Sequence, residues 1–128
     1  MAIQIVRLGS DRLPDEGLRI GTVRRPPRGV SKSEYAAKNY FDLWLPALAP
    51  SAELVKFAQS VTTEREWATF VRKYRAEMTA PESRAMLELL AAFSRHSSFS
   101  VGCYCEDASR CHRSLLRDLL RARGAILL

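Results

Sequence analysis

Apolar positions along this chain change period several times, and each change marks a predicted element. Ile3 to Leu8 is a short, nearly continuous apolar run rich in β-branched residues, the pattern of a buried strand. Ser10 to Gly17 holds Pro14, two aspartates and a glycine, and reads as a loop. Leu18 to Val23 returns to strand character, and Arg24-Arg25-Pro26-Pro27-Arg28-Gly29 ends it. Two successive prolines forbid ladder donation and helix continuation alike, so this arginine cluster is expected on an exposed loop.

Helical spacing governs the middle. Ser31 with Glu34 offers a capping box for a short helix, and Tyr40 to Leu45 is an apolar stretch of ambiguous type before Pro46. Ser51 is placed to cap a short helix carrying Leu54, Phe57 and Ala58. Thr63 with Glu66 forms a clearer capping box, followed by Trp67, Phe70, Val71, Tyr74 and Met78 at helical intervals. Thr79 with Glu82, and Pro81 in the first turn, predict a further helix whose buried stripe is Met86, Leu89, Leu90 and Phe93. These stripes read as core, not as a cofactor box. Phe99 to Cys103 is again strand-like. A last helix runs from about Cys111 to Arg123 and stops at Gly124, with Leu115, Leu116, Leu119 and Leu120 inward and Arg113, Arg117 and Arg121 on the opposite, solvated face. Strands near both ends with helices between them predict one α/β layered domain over residues 1–128, a small parallel or mixed sheet flanked by helices.

Composition narrows the class. The 128 residues are 47% hydrophobic and 27% charged, enough for a core without disulfide staples and unlike a disordered chain. The longest apolar patches, such as Leu43 to Ala49 broken by Pro46, fall far short of the ~18 residues of a membrane span. No basic segment leads into a signal-like apolar run, so the expectation is a cytoplasmic protein with no membrane partner. Three cysteines at short spacing argue for thiol or metal chemistry over a disulfide framework.

Net charge is +6, with sixteen arginines against four lysines. Arginine's planar fork matches phosphate oxygens, which suggests a phosphate-bearing small molecule or nucleic acid as partner. A GC-rich coding bias would raise the same count, so position matters more than number. The position that matters is a single corner. Residues 101–113 hold all three cysteines (Cys103, Cys105, Cys111), His112, Arg110 and Arg113, between a strand and a helix.

That corner admits three readings. As an anion site, it uses the unpaired N–H groups of the last helix, capped by Asp107 or Ser109, with Arg110 and Arg113 beside them. If the strands Leu18–Val23 and Phe99–Cys103 run parallel, Arg24, Arg25 and Arg28 reach the same cleft. As a thiol site, it offers Cys111 at the helix start and Cys103 at the strand end, both also readable as small buried hydrophobes. As a metal site, Cys103, Cys105, Cys111 and His112 add up to four ligands. Against a metal, adjacent helical residues point about 100° apart, which would keep Cys111 and His112 from sharing one ion. Neither a P-loop, a dinucleotide-binding glycine pattern, a nucleophile elbow nor a zinc-protease helix is present. His96, beside Ser97 and Ser98, reads as a surface residue.

Cys103-Tyr104-Cys105, five residues, then Cys111-His112-Arg113-Ser114 resembles the signature of the YeaO-like family, also called domain of unknown function 488. Arg7, the run Pro27 to Lys32, the Trp44 region ending Leu48-Ala49-Pro50-Ser51, and Trp67, Phe70, Tyr74, Arg75 and Glu77 extend the resemblance over most of the chain. Where relatives often carry an aspartate before the arginine–proline loop, this chain has Val23. The resemblance implies a small bacterial or archaeal intracellular α/β protein and no particular reaction.

The leading expectation is therefore a phosphate-bearing ligand in a basic, cysteine-rich cleft. Arg24, Arg25, Arg28, Arg110 and Arg113 are the candidate ligand-binding residues, with Arg28 and Arg113 holding the anion. Cys111 and Cys103 are the candidate reactive thiols, Cys111 the faster to alkylate; His112 exchanges protons or orients the ligand, and Glu106 supports them. No cofactor and no bound metal are expected. The runner-up is a non-catalytic nucleic-acid-binding module, and a third reading is a zinc-stabilised interaction protein.

Overall fold

A computed structural model describes residues 2–105 and 110–128. Four strands, β1 (Ile3–Arg7), β2 (Leu18–Gly21), β3 (Leu43–Trp44) and β4 (Phe99–Cys103), form one sheet in the order β1-β4-β2-β3, every pair parallel. Four α-helices, α1 (Ala52–Gln59), α2 (Glu64–Glu77), α3 (Pro81–Phe93) and α4 (His112–Ala122), lie between and after the strands. The α/β class expected from the sequence is the one observed, with a wholly parallel sheet.

Central β4 is buried along its whole length, as a strand covered on both faces requires. Its two faces meet different partners. Phe99 and Val101, with Ile3 and Ile20, pack into the helices through Tyr74, Leu87, Leu90, Leu116 and Leu120. The alternate residues meet a polar cover. Arg19 is fully buried there, its Nε and Nη2 donating to the two Glu16 carboxylate oxygens at 2.7 and 2.8 Å. Its remaining donors reach the carbonyls of Ser10, Asp11 and Asn39. Ser100, the register partner of Arg19, donates to Glu16 at 2.6 Å. One guanidinium thereby binds two loops to the sheet.

Local chemistry explains most element ends. Ser51 accepts from Leu54 N–H at the start of α1, and Thr63 with Glu66 completes a reciprocal capping box on α2. Gly124, at φ +83°, takes the left-handed conformation that ends α4.

The structure departs from expectation in four places. The box at Ser31 and Glu34 closes side chain to side chain at 2.8 Å and yields only a 3-10 turn, Lys32–Glu34. The ambiguous stretch before Pro46 supplies β3, two residues pairing with Ile20 and Gly21. Helix α3 is capped by Ala80, because the Thr79 hydroxyl bonds back to the Ala76 carbonyl. Its buried face is Ser83, Leu87, Leu90 and Ala91, with Leu89 and Phe93 about half exposed. The rotation has a cause: Ser83 donates to the Ala47 carbonyl at 2.6 Å, seating α3 on the turn Pro46–Leu48. Finally, Arg113 is buried, not solvated with Arg117 and Arg121. No helix among the described residues is long and apolar enough to cross a membrane.

The Glu16–Arg19 pair carries a pH signature. Burial alone would raise the Glu16 pKa, but the bonds from Arg19 and Ser100 outweigh it and hold it at about 2, below an ordinary 4.5. A carboxylate depressed in the folded state adds stability above its unfolded pKa and loses it as pH falls through the folded one. Stability should fall by about 3 kcal/mol between roughly pH 5 and 2 through this group alone. Urea titrations across that range should show the slope, and Glu16→Gln, destabilised at neutral pH, should flatten it. A variant as acid-sensitive as the wild type would show that other carboxylates set the profile.

Candidate functional site

Parallel pairing of β2 with β4 sends both chains out of the sheet at the same end, so the segments after Gly21 and after Cys103 open onto one cleft. Its volume is about 970 Å³, at the large end of the range for small-molecule sites. Cys103, Cys105, Cys111 and His112 line it, as do Arg24, Arg25, Arg28 and Arg110.

The floor is built by backbone constraints. Gly102 carries no side chain because a Cβ there would collide with the Val6 carbonyl. Its own carbonyl accepts from the N–H and the hydroxyl of Thr22, both at 3.0 Å. Thr22 is thereby fixed, and its carbonyl accepts from His112 Nε2 at 2.7 Å. A carbonyl can only accept, so Nε2 carries the proton and Nδ1 keeps its lone pair. That Nδ1 lies 3.8 Å from Cys111 Sγ. Burial lowers the His112 pKa, which the Thr22 bond only partly opposes, and the ring is neutral at pH 7. Tyr74 packs against it, ring centroids 5.6 Å apart.

Cys103, Cys105 and Cys111 line one corner and act on one another electrostatically. Its two neighbouring thiols and the Arg113 guanidinium pull the Cys105 thiol well down. Cys103 is pushed up by its two thiol neighbours and by burial. Cys111, under opposing influences from Cys103 and Cys105 and under burial, is left raised. Its sulfur is buried, as is that of Cys103, while Cys105 is exposed.

The arginines divide by what they already hold. Arg24 is committed to structure: it donates to the carbonyls of Pro50, Pro46 and Ala49 at 2.9–3.2 Å. Arg113 donates to the Cys105 carbonyl at 2.6 Å, and its buried Nε has no partner among the described residues. Arg25, Arg28 and Arg110 are exposed on the cleft, their guanidinium groups unbonded to other described residues. Glu106, and the caps expected at Asp107 and Ser109, lie outside the described residues. Cys111 itself is the N-cap of α4.

Residues 3–124 match the family described as the active DUF488-N3 subclade. The chain belongs to the DUF488 family. The suspected YeaO-like kinship therefore holds over nearly the whole sequence. No curated protein and no solved structure matches it.

Within this DUF488 chain Cys111 and His112 do not both lie on the helix and can face one ligand, because Cys111 has extended backbone at φ −133° and ψ 150°. Cys103, Cys111 and His112 instead bring their ligand atoms within 4.8 Å of one another. Two contributors carried no usable sequence signal: the Thr22 carbonyl, a main-chain atom, and Tyr104, whose hydroxyl donates to the Arg25 carbonyl at 2.9 Å and braces the arginine loop.

Accessibility sets the order of thiol reactivity. In reduced, metal-free protein at neutral pH, Cys105 should alkylate at least ~10-fold faster than Cys103 or Cys111, since thiolate character and access act together there. Peptide mass spectrometry after timed labelling reads this directly. Cys111 labelling first, or all three labelling alike in folded protein, would contradict the arrangement.

Proposed function

We propose that this protein binds a phosphate-bearing small molecule in the cleft and presents the Cys105 thiol to it. One observation carries the reading: Arg25, Arg28 and Arg110 line the same concave site as the three thiols and His112. Each guanidinium offers a planar set of donors that suits phosphate oxygens, and none is neutralised by a described carboxylate. Arg110 adds a second source of positive potential, because it adjoins the N-terminal end of α4. In this reading Arg24 shapes the loop, while Arg113 positions the segment bearing Cys105.

Concavity favours a small molecule over a nucleic-acid backbone. A strand-binding surface tracks successive phosphates with exposed aromatic platforms, whereas here Tyr40 and Tyr104 pack edge to face on each other, centroids 6.3 Å apart. The word "active" in the name of the matched subclade is in keeping with a site that does chemistry.

Calorimetric titration with nucleoside monophosphates and sugar phosphates, each beside its dephosphorylated form, tests the reading. The phosphorylated member of a matched pair should bind at least ~10-fold tighter, equivalent to about 1.4 kcal/mol. Arg28→Ala and Arg25→Ala should each remove most of that preference while leaving thermal stability within a degree or two. Equal binding with and without phosphate would overturn it. An affinity that climbs with oligonucleotide length and falls steeply with salt would favour the nucleic-acid module instead.

A further inference from the structure

We propose that Cys103, Cys111 and His112 form a binding site for one soft divalent cation of the zinc class, with the fourth coordination position facing the cleft beside Cys105. The site is independent of the phosphate reading, since neither its ligands nor its geometry involve the arginines.

Distances carry the first part of the argument. In a tetrahedral zinc site, bond lengths of about 2.3 Å to sulfur and 2.0–2.1 Å to nitrogen imply ligand atoms about 3.6–3.8 Å apart. Cys111 Sγ and His112 Nδ1 are 3.8 Å apart, and all three ligand atoms fall within 4.8 Å of one another. Shifts of a few tenths of an ångström to one ångström, within the reach of side-chain rotation, would close the set.

The histidine carries the second part. His112 is 7% exposed, and its Nε2 proton is spent on the Thr22 carbonyl. The remaining lone pair on Nδ1 points at sulfur, where only a weak S–H donor is on offer. A backbone carbonyl on the far nitrogen is the arrangement that orients metal-binding imidazoles and strengthens them as ligands. Two cysteines buried merely as small hydrophobes would leave that orientation without a purpose. Thiolate and imidazole together select zinc-like or other soft cations over magnesium or calcium.

Two protein-derived thiolates and a neutral imidazole leave the bound ion with a formally neutral first shell and one open position. Binding releases the two thiol protons to buffer and involves no change of oxidation state. The open position would lie where Arg25, Arg28 and Arg110 already favour an anion.

Anaerobic titration of the reduced, chelator-treated full-length chain with cobalt(II) tests this. One cobalt per chain should bind, with thiolate-to-cobalt charge-transfer absorption and the intense visible bands of four-coordinate cobalt, and one equivalent of zinc should bleach both. Cys103→Ser and His112→Ala should each weaken cobalt binding by at least ~10-fold, with circular dichroism confirming that the variants are folded. Should either variant not fold, the wild-type spectrum and a zinc-dependent rise in melting temperature decide the matter. Folded, reduced wild-type protein that takes up no stoichiometric cobalt would overturn the proposal. So would undiminished uptake by a folded variant.

Discussion

The fully buried Arg19 guanidinium is the constraint on which the rest of the structure leans. A bare cation there would be prohibitive, and Glu16 alone would not offset its desolvation. Five bonds, two to the carboxylate and three to backbone carbonyls, use its donors completely. The geometry that satisfies them fixes β2 against β4, because Glu16 also takes the hydroxyl of Ser100. From that register follows the place of Thr22, whose carbonyl accepts the hydrogen bond donated by His112 Nε2. The tautomer of a histidine in the cleft is thus set from the far side of the sheet.

Cleft and core are chemically distinct although contiguous. Helices cover one face of the sheet through an apolar cluster that includes Tyr74, whose hydroxyl donates to the Leu48 carbonyl at 2.8 Å. Beside it lies a smaller cluster in which Cys103 and Cys111 pack with Val6, Leu8, Val23 and Phe41. Val23 is buried here, so the position before the arginine–proline loop contributes packing and no acid. Among the described residues, charge comes from Arg25, Arg28 and Arg110 at the rim and from the buried Arg113. That division suits a site in which soft donors at the floor meet a hard anion held above them.

Much of this was legible in the sequence, for identifiable reasons. Strands β1, β2 and β4 were legible as short runs of apolar and β-branched residues bounded by loop signals, although nothing in the run of β2 showed that its Arg19 would be buried. The caps at Ser51 and Thr63 were legible because their partners lie within three residues. What escaped was set by distant atoms. Glu82 makes Thr79 look like the cap of α3 where Ala80 takes that place, and nothing within α3 reveals that Ser83 will seek a carbonyl 36 positions away. The corner of residues 101–113 was found from residue types alone, and its nearness to Arg25 and Arg28 followed from the parallel pairing. The roles of its thiols did not follow, because accessibility depends on which side of the loop each sulfur faces.

The decisive local detail is one residue's backbone. Had Cys111 been the first helical residue, its side chain and that of His112 would diverge by about 100° and the corner would present two separate groups. As N-cap it adopts extended backbone, which turns its sulfur back toward Cys103 and the His112 lone pair. A cap position is ordinarily filled by an oxygen that satisfies the first N–H groups of the helix. Placing sulfur there forgoes that stabilisation, a cost of about 1 kcal/mol, and gains convergence of three soft donors at the end of a strand. Such a trade makes sense only where the donors act together, which is why the cluster, and not any single cysteine, is the unit on which the chemistry of this cleft should be understood.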